Sequence, residues 1–512
     1  MNKVISFPSY IRSARLETLL QRYRADSAAA RQRHGCQLYF NDDELNVYGQ
    51  AVLRAYRETQ GHHVILRRAR ALECFAAEAL IRLDPEDLIA GSQRFCAFRF
   101  PDHLHEQIFS LGYSHNLGHL IYDYATLVNI GLDGLTKRII ARQASPLTEG
   151  EAVMLKACEG ALAAFGIFIQ RHSQAAAEVA TRLSGAEALV WNKWATELAA
   201  LTHRPPASFR GALQLVWFAQ IFLHAENPTS AISFGRLDQY LWPHLHADLE
   251  SGCLDLSAAC DLMAAFYLRC CEGEESQNLT LGGVDNVGRD AANPLSILLL
   301  KVMENLRVCQ PSLSVRLHPG SPDDLVRAAC AVAKTGTGQP GFINDTAVIP
   351  GLQRLAIPLR RARDYGIVGC YEPTTPGDSY PNTVGGIPPD LAETMVTYLQ
   401  TPEALAATDF STFLSGWFAM FANAYQVALT TRFQGIWEAW SNNAPSPFGS
   451  VMMQGCVEKA RSLESGGTRF NLFGVNIVGL GTIVDSLHVI KTLVFERREL
   501  ALPDLSSAMA AD

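Results

Sequence analysis

The segment Arg363-Asp364-Tyr365-Gly366-Ile367-Val368-Gly369-Cys370-Tyr371-Glu372-Pro373 concentrates the residue types best suited to chemistry. A short apolar run brings a thiol to a glycine-flanked turn, and a carboxylate follows two residues later. Pro373 biases Glu372 towards extended geometry, and in an extended segment residues two apart share a side. Cys370 and Glu372 are therefore expected to face one cavity, with Tyr371 turned away. A sulfur centre beside a carboxylate suits a reaction that moves a hydrogen and a proton on one substrate. The residues alone also allow a plainer reading, a buried small hydrophobe and a solvated loop acid. No histidine stands nearby in sequence, so a cysteine–histidine hydrolase has little local support.

The elements that must hold this loop are mostly helical. Ala14 to Ala30, Asp43 to Thr59, Glu151 to Ser184, Ala186 to Leu201 and Asp409 to Ser441 carry apolar residues at three- and four-residue spacing. Glycine and proline gather between such stretches, as in His318 to Asp323 and Pro373 to Pro389. Short β-branched runs end in these loops. Ser312 to Leu317, Gly366 to Gly369 and Val475 to Leu480 read as buried strands of an α/β body. Asp485 opens an amphipathic helix through Glu499, and a further helix is expected to start at Asp504. With no internal repeat and no low-complexity linker, the chain reads as one continuous body.

Composition narrows the function. Of 512 residues, 48% are apolar and the formal charge is -8, without a run of like charges. A nucleic-acid groove and an anionic-membrane surface are excluded on that ground, leaving a small molecule as the expected partner. Met1 to Leu16 lacks the apolar region of a secretory signal. Gly211 to Ala225, the longest apolar stretch, is too short for a bilayer and reads as a buried helix. None of the 12 cysteines falls in a CxxC pair, so reduced thiols in the cytoplasm are expected. The adjacent Cys270-Cys271 pair reads as packing. His115 and His119 stand four apart, but no third ligand accompanies them, and no metal site is assigned.

Several ordered motifs carry a resemblance. Gly369-Cys370-Tyr371-Glu372-Pro373 resembles the Gly-Cys-Val-Glu-Pro loop of glycyl radical dehydratases and lyases. Ser233-Phe234-Gly235-Arg236-Leu237-Asp238-Gln239 is similar to that family's Ser-x-Gly-Arg-x-Asp-Gln motif, and Gln277-Asn278-Leu279-Thr280-Leu281-Gly282-Gly283 to its Gln-Asn-x-x-x-Gly-Gly segment. Gln310 to Arg316, Gly338 to Asp345 and Asp485 to Lys491 follow in the family's order. Gly118-His119-Leu120-Ile121-Tyr122-Asp123-Tyr124 resembles its Gly-His-x-x-x-Asp-Tyr segment.

The resemblance implies an α/β fold, the N-terminal and central part of a ten-stranded barrel. Two antiparallel half-barrels would form it, surrounded by helices, with the cysteine loop inside. Residues 1–512 would be one pyruvate formate-lyase-like domain, incomplete at its C-terminus and without a separate glycine radical domain. Cys370 would be the thiyl site and Glu372 the general acid/base. His119, Ser233 and Asn278 would bind substrate, with Gln277 and Arg316 also lining the barrel. Arg236 and Asp238 would form a structural ion pair. No cofactor would be bound directly. A glycyl radical would reside on a missing C-terminal segment or partner polypeptide, installed by an S-adenosylmethionine radical activase, and a homodimer is allowed.

The implied function is a dehydratase or lyase eliminating water or another leaving group from a small hydroxylated substrate. The formate C-acetyltransferase branch carries two adjacent cysteines in this loop, whereas Gly369 precedes Cys370 here. That carbon–carbon lyase is therefore the alternative, as is a non-catalytic remnant of such an enzyme. The sequence departs from the family at Tyr371 and in Thr374 to Ile387, expected to shape the substrate end of the pocket. No late glycine stands in an Arg-Val-x-Gly-Tyr/Phe motif. An isolated chain of this kind is expected to expose apolar surface and to be marginally stable.

Overall fold

The computed structural model describes residues 10–34, 41–97, 99–116, 118–228, 231–273, 276–369, 371–380, 390–472 and 477–511. The chain divides into two compact units. One comprises Met1–Asn382 with Trp440–Leu472, and the other Thr383–Ala439 with Phe473–Asp512.

In the first unit, strands alternate with helices from residue 120 onward. β1 (Leu120–Ile121), β2 (Ile232–Ser233), β3 (Asn278–Gly282), β4 (Ser312–Leu317) and β5 (Gly341–Asn344) follow one another in chain order. β1 pairs parallel to β2, and β3–β4–β5 form a parallel sheet. A parallel bridge between Gly235 and Leu279 joins the two pieces. Phe234 N–H donates to Asn278 C=O, and Thr280 N–H to Gly235 C=O, both at 2.8 Å. The five strands therefore make one parallel arc, with helical crossovers as parallel pairing requires. The fold class is α/β, and this arc is the first half of the expected barrel.

Alternation along these strands sorts side chains by face. Leu279, Leu281, Leu313 and Val315 are fully buried on the opposite side from Asn278, Thr280, Ser314 and Arg316. The helix Phe209–Glu226, buried at every residue but Arg210, fills the outer side, where each large apolar side chain contributes about 1.5–3 kcal/mol by leaving water. Gln277 falls on this outer side, contrary to expectation. It accepts from Gln220 Nε2 and donates to Cys270 C=O. The helix Glu149–Thr181 is the one among the described residues long and apolar enough to cross a membrane, and 56% of its apolar window is buried in the protein.

The loop of interest folds as a hairpin. β6 (Gly366–Val368) pairs antiparallel with β7 (Glu372–Thr374). Tyr371 N–H closes the turn on Val368 C=O at 3.2 Å. Ile367 packs with Leu352, Ile357, Ala362 and Tyr365 in a small core.

The second unit is helical, built on Leu391–Leu399, Phe410–Ala428 and Leu480–Val489. Met395, Tyr398, Phe413, Trp417, Ile483 and Ile490 form its core. Of the strand expected at Val475 to Leu480, the described part, Ile477 to Leu480, is a loop and a helix start. Val475 and Asn476 lie outside the described residues, Gly479 adopts φ 84° and caps the helix that Leu480 begins. Ile477 is 51% and Leu480 65% exposed, so these apolar residues have no sheet to join. The final helix starts at Leu502, two residues before the expected Asp504, with Pro503 in its first turn where a missing N–H costs nothing.

Candidate active site

The hairpin lies across the inner face of the arc, held by that face's polar side chains. Ile367 N–H donates to Thr280 Oγ1 at 2.8 Å, and Gly369 N–H to Ser233 Oγ at 3.3 Å. Ser233 Oγ also accepts from Asn278 N–H at 3.1 Å. Below the hairpin, Arg316 donates to Asp345 through Nε at 2.8 Å and Nη2 at 3.0 Å. Its remaining donors reach the carbonyls of Tyr365 and Arg363, each at 2.8 Å. Tyr365 O–H donates to Asp345 at 2.7 Å, and the guanidinium lies 3.9 Å from the Tyr365 ring centroid. A bidentate pair is the form in which a fully buried guanidinium is tolerated. Arg316 thus anchors the chain entering β6 and does not present its charge to an open interior.

At the tip, three residues converge. A Cβ built on Gly369 would lie 2.9 Å from His119 Nε2 and 3.2 Å from Glu372 Oε2. Gly369 has φ +53°, so glycine is needed there both for its backbone conformation and for the space it leaves. His119 immediately precedes β1, and Glu372 begins β7. The structure therefore brings His119 and Glu372 to the residue before Cys370. Cys370 itself lies outside the described residues, as do 381–389 of the segment expected to shape the pocket.

The expected extended run through Tyr371 is corrected. Tyr371 has φ 117° and ends a tight turn, because the β6–β7 pairing must reverse the chain within three residues. Its half-exposed ring lies against Gly341 on β5. Arg236 and Asp238 are both buried but serve separate partners. Arg236 pairs with Asp364 at 3.0 Å, and Asp238 accepts from Gly282 N–H and Ser296 O–H.

Two buried acceptors stand out. Glu372 Oε2 and Asn278 Oδ1 find no hydrogen-bond partner among the described residues, although Asn278 Nδ2 donates to Ser314 Oγ at 3.0 Å. Buried oxygens are rarely left in this state. A ligand bearing hydroxyl donors would satisfy them. Thr280 and Ser314, which seat the hairpin and orient Asn278, were not among the expected site residues. Their signal was the two-residue spacing of polar side chains along Asn278-Leu279-Thr280 and Ser312-Leu313-Ser314.

Residues 101–512 match the family model described as pyruvate formate lyase-like. The chain belongs to the pyruvate formate lyase-like family. It is 31% identical to the probable dehydratase YbiW of Escherichia coli over 438 residues, covering 77% of this chain and 54% of that protein. With the (2S)-3-sulfopropanediol dehydratase of Klebsiella oxytoca it shares 28% identity, covering 79% and 53%. This member of the pyruvate formate lyase-like family thus spans about half the length of the curated relatives it matches. Its fold matches the glycerol-bound B12-independent glycerol dehydratase from Clostridium butyricum with a TM-score of 0.85 and 21% identity. That match covers 99% of this chain and 74% of the dehydratase.

Proposed function

We propose that this chain is the thiyl-bearing part of a glycyl radical dehydratase or lyase acting on a small hydroxylated substrate. The observation that carries the reading is the convergence on Gly369, one residue before Cys370, of His119 Nε2 and of Glu372 Oε2, which has no hydrogen-bond partner among the described residues. The radical, held by a segment outside these 512 residues and installed by an S-adenosylmethionine radical activase, supplies the means to take a hydrogen atom from the Cys370 thiol.

Each residue of the chain then has a defined task. Cys370 removes a hydrogen atom from a substrate carbon and later returns one. Glu372 takes the proton of the adjacent hydroxyl, or gives one to the departing group, as a positioned acid/base. His119 holds a substrate hydroxyl through Nε2, and Asn278 Oδ1 accepts from a second donor. Ser233 keeps the tip in place by accepting from Gly369 and Asn278 N–H. Ser233 and Asn278 are fully buried, which helps to exclude water from the carbon-centred step.

Gly369 disfavours the formate C-acetyltransferase reading. A cysteine there would carry a Cβ 2.7 Å from His119 Cδ2 at a positive φ, so the adjacent-thiol arrangement does not fit this loop. We read both compact units as parts of one pyruvate formate-lyase-like domain and place the protein in the cytoplasm.

The test is turnover. The chain, reconstituted anaerobically with a glycyl-radical-bearing polypeptide and activase, is assayed on small diols, hydroxylated sulfonates and hydroxyproline. Elimination product is expected with at least one of them, and Glu372→Gln is expected to lower turnover about 10²–10⁴-fold. Product formed equally by Glu372→Gln would remove the acid/base role.

A further inference from the structure

Away from the hairpin, a cleft of about 870 Å³ opens between the helix Ala14–His34 and the end of the helix Pro294–Leu306. Arg12, Arg24, Arg31, Lys301 and Arg307 line it against a single acid, Glu304. Arg12 is paired with Glu17 and Asn305. The other four cations form no ion pair among the described residues, so the cleft carries a net positive field.

The wall of this cleft includes Cys309, which is partly exposed. Behind it lies Cys271, fully buried at the end of the helix Leu256–Cys270. The two sulfurs are 4.0 Å apart. The Tyr23 hydroxyl hydrogen-bonds to both thiols. The hydrogen bonds with Cys271 and with the Tyr23 hydroxyl draw the Cys309 thiol down to about 7, whereas burial pushes Cys271 well up. This is the asymmetry of an attacking and a resolving thiol.

We propose that Cys309 and Cys271 form a thiol–disulfide exchange site whose cationic cleft selects anionic low-molecular-weight disulfides. The Cys309 thiolate attacks one sulfur of the ligand. A Cys309–ligand bond forms, the ligand disulfide breaks, and its released thiolate takes up a proton. Cys271 then loses its proton, attacks the Cys309 sulfur and expels the second ligand thiol. The dithiol is oxidised by two electrons and the ligand disulfide is reduced by two.

The new bond would tie the entry of β3 to the entry of β4. Gln277 N–H already donates to the Gln310 side chain at 3.2 Å, and Ser312 N–H to Gln277 C=O at 2.8 Å. These strands carry Asn278 and Ser314, so oxidation would act on the face that seats the hairpin. The site is carried by the two thiols and the cationic cleft beside them and is independent of the radical reading.

The chain is incubated anaerobically with glutathione disulfide or with neutral hydroxyethyl disulfide, alkylated, digested and mapped by mass spectrometry. A Cys271–Cys309 linked peptide is expected before the exposed Cys253 and Cys330 react. Cys271→Ser is expected to stop at a glutathione adduct on Cys309, and Cys309→Ser to leave Cys271 reduced. The anionic disulfide is expected to react about tenfold faster than the neutral one, a ratio falling towards one in Arg24→Gln/Lys301→Gln, which keeps both thiols. Modification of Cys253 and Cys330 with Cys271 and Cys309 left unlinked would overturn the site. Equal rates with the two disulfides in the unaltered chain would overturn the role of the cleft.

Discussion

The base and the tip of the hairpin that carries Cys370 are built on opposite terms. At the base, Arg316, Asp345 and Tyr365 form a closed set in which Arg316 binds one carboxylate, three carbonyls and one ring face. At the tip, Glu372 Oε2 and Asn278 Oδ1 are buried without partners among the described residues, and Gly369 occupies a conformation that side chains resist. The base is closed on itself, and the proposed reading assigns the tip to a ligand. A region with unmet hydrogen-bonding capacity next to one that is fully met is where function is expected to reside.

Breaking the base should be costly. Arg316→Ala leaves Asp345 charged, buried and half-partnered, and is expected to lower unfolding free energy by about 3–5 kcal/mol in chemical denaturation. A loss below about 1 kcal/mol would erase the contrast between base and tip. Gly369→Ala attacks the tip through the backbone. The positive φ alone costs about 1–2 kcal/mol, and the added methyl must displace His119 or Glu372. Reduced stability together with lost turnover is expected, whereas an unchanged melting profile would show that the tip is not held as described.

A second buried carboxylate sharpens the comparison. Glu226, at the end of the helix Phe209–Glu226, accepts from Phe448 N–H and Gly449 N–H, both at 2.8 Å. Burial nevertheless pushes it from its ordinary value up to about 7, with Glu464 adding to the rise and Arg68 opposing it. The folded chain therefore holds this proton more tightly than the unfolded chain. Its contribution to stability is full below about pH 4.5 and is lost as pH rises through 7. Denaturation across that window should show the unaltered chain losing stability relative to Glu226→Gln, and parallel curves would refute the assignment. The smallest effect is expected at Glu372→Gln. Replacing an oxygen that has no partner among the described residues should change stability by less than about 1 kcal/mol while turnover collapses, separating chemistry from architecture.

Helical periodicity alone located Ala14–His34, Asp42–Glu58 and Glu149–Thr181 to within a few residues, because an apolar stripe is a local property. The strands at Ser312–Leu317 and Gly366–Val368 were legible for the same reason. The Val475 to Leu480 run has the same composition, yet Gly479 and the lack of a neighbouring strand send its described part into a loop and helix start. At the site, motif order singled out His119, Glu372, Ser233 and Asn278 before any geometry. What it could not supply was pairing. Arg236 meets Asp364 and not Asp238, and Gln277 turns outward because β3 alternates. Tyr371 leaves the extended region because β6 and β7 close on each other. The first depends on a residue more than a hundred positions away, and the other two on a register that only the sheet sets.

Electron paramagnetic resonance on Cys370→Ala tests the central claim most directly. Both the unaltered chain and the variant would be co-expressed anaerobically with a glycyl-radical-bearing polypeptide and an S-adenosylmethionine radical activase. The account predicts a glycyl doublet in both, quenched by substrate in the unaltered chain and persistent in Cys370→Ala. A doublet that substrate quenches equally in Cys370→Ala would show that hydrogen transfer bypasses this thiol and would contradict the account.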